Sequence, residues 1–177
     1  IIALRNFLKY LAKRDIKVLA PEKIELPKIP SRQIELIDYQ DLERLLAAPK
    51  GDDLRTLRDK AILEVLFSTG LRLAEVCRLD RYLDLARGEI SVRGKGEKLR
   101  VVFLSDRSKK AIAAYLKKRS DAEPTLFVSL SKKGTVLGPI TPRSVERLVD
   151  YWAIRAGLGK KIHPHLLRHL FATDLLM

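Results

Sequence analysis

The stretch LRDKAILEVLFSTGLRLAEV, residues 57–76, decides how the rest of the chain is read. Ala61, Ile62, Val65 and Leu66 recur at helical spacing and predict a buried helix over about Leu57–Phe67. Gly70 then supplies a left-handed stop, and a short helix, Leu73–Arg78, follows at once. Arg72 therefore emerges at the start of that helix, with Glu75 one turn on. An arginine so placed either holds a phosphate through its planar fork, with the carboxylate fixing the fork, or is a solvated side chain pairing with Glu75. The spacing alone suits both readings.

Upstream, Asp38 can cap a helix, with Asp41 three residues on and Leu42, Leu45 and Leu46 as its buried face. Pro21, Pro27 and Pro30 interrupt any helical period, so residues 21–37 read as an interdomain linker. Leu4, Phe7, Leu8 and Leu11 form a helical stripe over residues 1–14, whose apolar face is expected to pack on helices that precede it. Downstream, Glu89–Arg93 and Leu99–Leu104 alternate apolar and polar around Gly94-Lys95-Gly96, which predicts a β-hairpin. Lys95 at its tip either decorates the turn or reaches a phosphate or a leaving oxygen. A helix is expected over Ser108–Lys118 and a short strand over Thr125–Val128. Thr141-Pro142 caps a helix with Val145, Leu148, Val149 and Trp152 inward. A last helix runs from about Pro164 to the end. The sum is an α+β class, mainly α-helical, with one small β-hairpin.

The chain has 177 residues, 35 Lys plus Arg against 22 Asp plus Glu, and a formal net charge of +13. Its 46% hydrophobic content supports a real core, which excludes a disordered basic tail. One cysteine, Cys77, excludes an internal disulfide framework or a multi-cysteine zinc site. No apolar run is long enough to span a membrane, and the N-terminus lacks the apolar core of a signal peptide. A cytoplasmic protein is expected. The only methionine is Met177, so the chain reads as part of a longer protein. The positive charge concentrates between Arg93 and Arg119, where ten basic residues face only Glu97 and Asp106. A phosphate backbone is the partner such a stretch fits best; a solubilising surface is the alternative.

His163, His165 and His169 fall within seven residues, and His165, Arg168 and His169 share one helical face. An imidazole beside a guanidinium suits phosphoryl transfer, since one moves a proton and the other stabilises negative charge. Metal binding by the histidines competes, but the adjacent Arg168 opposes a cation and no carboxylate cluster completes the set. The chain has no phosphate-binding loop of the nucleotide-hydrolysing type and no two-metal carboxylate cluster. A site of Arg, Lys, His and Arg remains, with neither metal nor cofactor expected.

Three stretches in order, Ser68–Val76, Val92–Val102 and His163–Thr173, make residues 38–177 resemble the tyrosine recombinase (phage integrase, Xer-like) family. The resemblance implies that family's catalytic fold for 38–177, incomplete at its C-terminus. It makes residues 1–20 the closing helix of an N-terminal core-binding domain. It implies that Arg72 and Arg168 bind the scissile phosphate, that Lys95 protonates the departing 5′ oxygen, and that His165 serves in acid–base catalysis. Glu75 and His169 are supporting residues, and Arg93, Lys98, Arg100 and Arg143 are candidate DNA contacts. Family members attack DNA with a tyrosine, form a 3′-phosphotyrosyl link and religate without metal or nucleotide. They assemble as tetramers on two DNA sites.

In that family the nucleophile follows the His-x-x-Arg helix, whereas Tyr10, Tyr39, Tyr82, Tyr115 and Tyr151 all precede it. The 177-residue chain is therefore expected to hold duplex DNA, to be monomeric by itself and not to cleave. The alternatives are a non-catalytic DNA-binding module that occupies recombination sites, and a type IB topoisomerase-like enzyme.

Overall fold

The computed structural model describes residues 1–26, 38–93, 99–159 and 162–174. The chain divides into two compact units, Ile1–Glu35 and Leu36–Met177. In the first, α1 (Ile2–Ala12) is followed by one 3-10 turn, Pro21–Lys23, that packs back on it. Leu8 and Leu11 are half-buried, Leu4 and Phe7 exposed. Arg14 lies over the Tyr10 ring, 3.7 Å from its centroid.

The second unit is built around one helix, α3 (Leu54–Thr69). Every residue from Ala61 to Leu66 is buried, so apolar side chains point all round rather than along one stripe. α2 (Tyr39–Ala47), α5 (Asp106–Lys118), α6 (Pro142–Arg155) and α7 (Pro164–Asp174) all pack against it. Short polar caps start α2, α5 and α6. Asp38 accepts from the Asp41 N–H at 2.7 Å, Ser105 from Ser108 and Thr141 from Ser144. Asp53 takes the N–H groups of Arg55 and Thr56, each at 3.1 Å, and starts α3 three residues before the predicted Leu57.

β1 (Glu89–Arg93) and β2 (Leu99–Phe103) pair antiparallel, with Val92 opposite Arg100. Ile90 and Val92 are buried, and Leu99, Val101 and Phe103 form an exposed apolar edge. A second hairpin joins β3 (Val128–Leu130) to β4 (Val136–Pro139), so one hairpin is corrected to two. The expected strand over Thr125–Val128 lies mostly ahead of β3. There Thr125 bridges Asp80, and the Leu126 N–H donates to the Leu79 carbonyl at 2.7 Å.

Two buried arginines hold this layer. Arg58 donates to Asp59 Oδ1 through Nε (2.9 Å) and Nη2 (2.6 Å) and to the Val128 carbonyl through Nη1 (3.0 Å). The other Asp59 oxygen accepts from Trp152 Nε1 at 2.9 Å, so α3, α6 and β3 share one satisfied polar network. Arg119 donates to the Thr125, Leu126 and Glu123 carbonyls and to Asp121, closing the loop after α5.

Candidate active site

Gly70 is where the site is made. It sits at φ +55°, ψ +26°, and its N–H closes α3 on the Leu66 carbonyl. A Cβ there would run into the Phe171 ring of α7, so glycine is needed for the conformation and for the close approach. The sharp turn brings Arg72 to the start of α4 (Leu73–Val76) in extended backbone geometry. α7 arrives from the other end of the chain, seated by buried Leu166 and Leu167. Its Arg168 Nη1 donates to the Gly70 carbonyl at the spent end of α3, where a cation is electrostatically favoured. Arg72 thus follows this glycine by two residues, and Arg168, from the far end of the sequence, is tied to its carbonyl near enough to feel the Arg72 charge.

Glu75 organises the rest. Its Oε2 accepts the Arg72 backbone N–H at 2.7 Å and its Oε1 accepts Arg72 Nη1 at 3.2 Å. Arg100, from β2, donates to the same two oxygens in a fork, at 2.9 and 2.6 Å. Partial burial pushes the Glu75 carboxyl up, but the Arg100 and Arg72 donors outweigh it and hold it at about 2. Burial lowers the pKa of Arg168, and the nearby Arg72 and Arg100 charges lower it further. Three guanidiniums around one carboxylate leave a net positive pocket built to take an anion.

Beside this cluster lies an open cavity of about 800 Å³, lined by the polar Arg100, Arg168 and His169 and the apolar Val101, Phe103 and Phe171 among others. No tyrosine is among its lining residues that the structure describes. The structure brings together Arg72, Glu75, Arg100, Arg168 and His169. His165 is exposed in the first turn of α7, Arg93 at the end of β1, and Arg143 in the first turn of α6. Lys95 and Lys98 lie outside the described residues. Among the described residues, no group of three or more His, Cys, Asp or Glu side chains gathers as a metal site. No helix among them is long and apolar enough to cross a membrane.

The basic stretch Arg93–Arg119 is more committed internally than its composition suggests. Arg107 pairs with Glu43 (2.7 Å) and Glu64 (3.1 Å), Lys109 with Asp106, Lys118 with Asp52, and Arg119 with Asp121. Arg93, Lys110 and Lys117 stay exposed. The Arg100–Glu75 fork is what the sequence reading missed, because only the register of the hairpin against α4 makes it. The alternation of β2, which turns Arg100 away from Leu99 and Val101, was the signal available.

Residues 35–177 match the phage integrase family. The chain is 34% identical over 181 residues to the tyrosine recombinase XerC of Myxococcus xanthus and 38% identical over 185 residues to that of Thermodesulfovibrio yellowstonii. Each alignment covers 98% of this chain and 60% of the relative, so the chain spans about three-fifths of the length of these relatives. Among solved structures, XerA recombinase superposes with a TM-score of 0.70 at 30% identity, covering 97% of this chain and 60% of that one. XerH bound to its difH substrate before cleavage gives 0.70 at 25% identity, covering 98% and 52%. Sequence and fold agree: the chain belongs to the phage integrase family, the tyrosine recombinases.

Proposed function

We propose that this chain carries most of the catalytic domain of a site-specific DNA recombinase, which cuts and rejoins DNA through a 3′-phosphotyrosyl intermediate. The observation that carries the reading is the meeting of Arg72 and Arg168 at the Gly70 turn, with Glu75 and Arg100 behind them. Arg72 and Arg168 bind the non-bridging oxygens of the scissile phosphate and stabilise the charge that grows there. Each such preorganised donor is typically worth about 3 kcal/mol of barrier. A tyrosine oxygen attacks phosphorus, the 5′ oxygen leaves with a proton from Lys95, and the new link conserves the phosphodiester energy for religation. His165 takes part in proton transfer, and His169 is a supporting residue beside Arg168 in the cavity lining.

The nucleophilic tyrosine is assigned to the segment that follows residue 177, so the 177-residue chain binds duplex DNA without cleaving it. Residues 1–20 are assigned to a core-binding domain, 21–37 to the linker and 38–177 to the catalytic domain. Exposed Arg93 and Arg143, together with Lys98, hold flanking backbone. The XerH structure solved with its DNA substrate supports duplex DNA as the partner. The full-length protein is assigned as a tetramer on two DNA sites in the cytoplasm, the 177-residue chain as a monomer.

The DNA part of this reading is tested by anisotropy titration of the chain with a labelled duplex between ~50 and 200 mM salt. Six or more phosphate contacts predict a fall of roughly 10³-fold in affinity or more. A flat response overturns it.

A further inference from the structure

We infer that Arg100 is a positioning residue, not a DNA contact: it occupies Glu75 so that Arg72 stays available to the phosphate. The inference rests on the recombinase reading above and adds a role for the hairpin strand within it.

Arg100 and Glu75 meet fork to fork, at 2.9 and 2.6 Å, the geometry of a strong bidentate pair. Glu75 retains a second acceptor site on each oxygen, and both go to Arg72: one to its backbone N–H at 2.7 Å, one to its Nη1 at 3.2 Å. All four acceptor positions of the carboxylate are filled. The Glu75 side chain is 11% exposed, Arg100 33% and Arg72 49%, so the Arg100–Glu75 pair lies inward of the Arg72 tip.

This arrangement has an electrostatic consequence. A lone carboxylate beside Arg72 at i,i+3 would take its guanidinium as a bidentate partner and cancel its charge. Arg100 prevents this by taking the forked face of Glu75, leaving Arg72 with one longer side-chain contact, to Glu75, and no other side-chain partner among the described residues. It also holds Glu75 on the Arg72 N–H, which fixes the backbone from which Arg72 projects. Arg100 reaches Glu75 because β2 alternates: Leu99, Val101 and Phe103 face outward and Arg100 faces α4.

The test uses the full-length protein and a nicked suicide duplex, measuring the single-turnover rate of covalent adduct at saturating DNA and Kd separately. Arg100→Gln is expected to lower the rate ~100-fold, the scale of a misplaced catalytic group, with Kd changed less than ~3-fold. Arg100→Lys keeps the charge but loses the fork and is expected to fall between the two. The decisive variant is Arg100→Gln with Glu75→Gln, which removes the carboxylate that would capture Arg72. It is expected to recover at least ~10-fold over Arg100→Gln alone.

A structural role would make the double variant no better than the single one, and equal loss in both overturns the inference. So does a weaker Kd with the salt slope reduced by about one for Arg100→Gln, the mark of a phosphate contact. Thermal melts of every variant separate these outcomes from loss of folding. Absence of adduct from the parent protein overturns the recombinase reading itself; a parent adduct with an undisturbed Arg100→Gln rate overturns only the inference.

Discussion

Gly70 concentrates more of this site than any other residue. Its left-handed backbone ends α3, its carbonyl receives Arg168, and its missing side chain leaves room for Phe171. Gly70→Ala therefore meets both a positive φ and the Phe171 ring. It is expected to destabilise the chain by more than about 1 kcal/mol, read as a lower denaturant midpoint at unchanged slope. An unchanged midpoint would mean that α7 does not seat there. Gly70 as a helix stop and Arg72 beside Glu75 were legible in the sequence, because caps and i,i+3 pairs are local. The seating of Phe171 on Gly70 and the fork from Arg100 were not, because both join segments that only the packed fold brings together.

At the scale of elements, α3 carries the unit, and Asp53 starts it. Asp53→Ala removes the acceptor for two backbone N–H groups and the Thr56 hydroxyl, and is expected to cost about 1 kcal/mol. For a protein of this size that is a fall of roughly 3 °C in Tm, readable by calorimetry. The sequence reading began α3 at Leu57 because its apolar spacing becomes regular only there, although Asp52-Asp53 stood in the capping position. It also missed the β3–β4 pairing. Three- and four-residue strands with partly exposed side chains carry too little alternation to be told from loop, and only the Gly134 turn between them marked it. The start of α6 at Thr141-Pro142, its inward face and the β1–β2 strand ranges, by contrast, were legible almost to the residue.

For the whole molecule, the +13 charge is divided between internal ties and an outward surface. Glu75 and Asp121 are held at about 2, Glu75 by Arg100 and Arg72 against its burial, Asp121 chiefly by Arg119. A carboxylate with a lowered folded pKa stabilises fully above its unfolded value and loses that contribution as pH falls through the folded one. Tm is therefore expected to drop between pH 4.5 and 2, and Glu75→Gln is expected to flatten part of that drop. Equal acid profiles for the two proteins would contradict the Glu75 ties. The outward charge, aimed by Arg72 and Arg168, is what the proposed chemistry uses. The most direct measurement is to incubate the full-length protein with a nicked suicide duplex and look for a detergent-resistant covalent adduct. An adduct is predicted from the full-length protein, and none from its Arg72→Ala or Arg168→Ala variant or from the 177-residue chain. No adduct from the full-length protein, or an adduct from the 177-residue chain, would contradict the account.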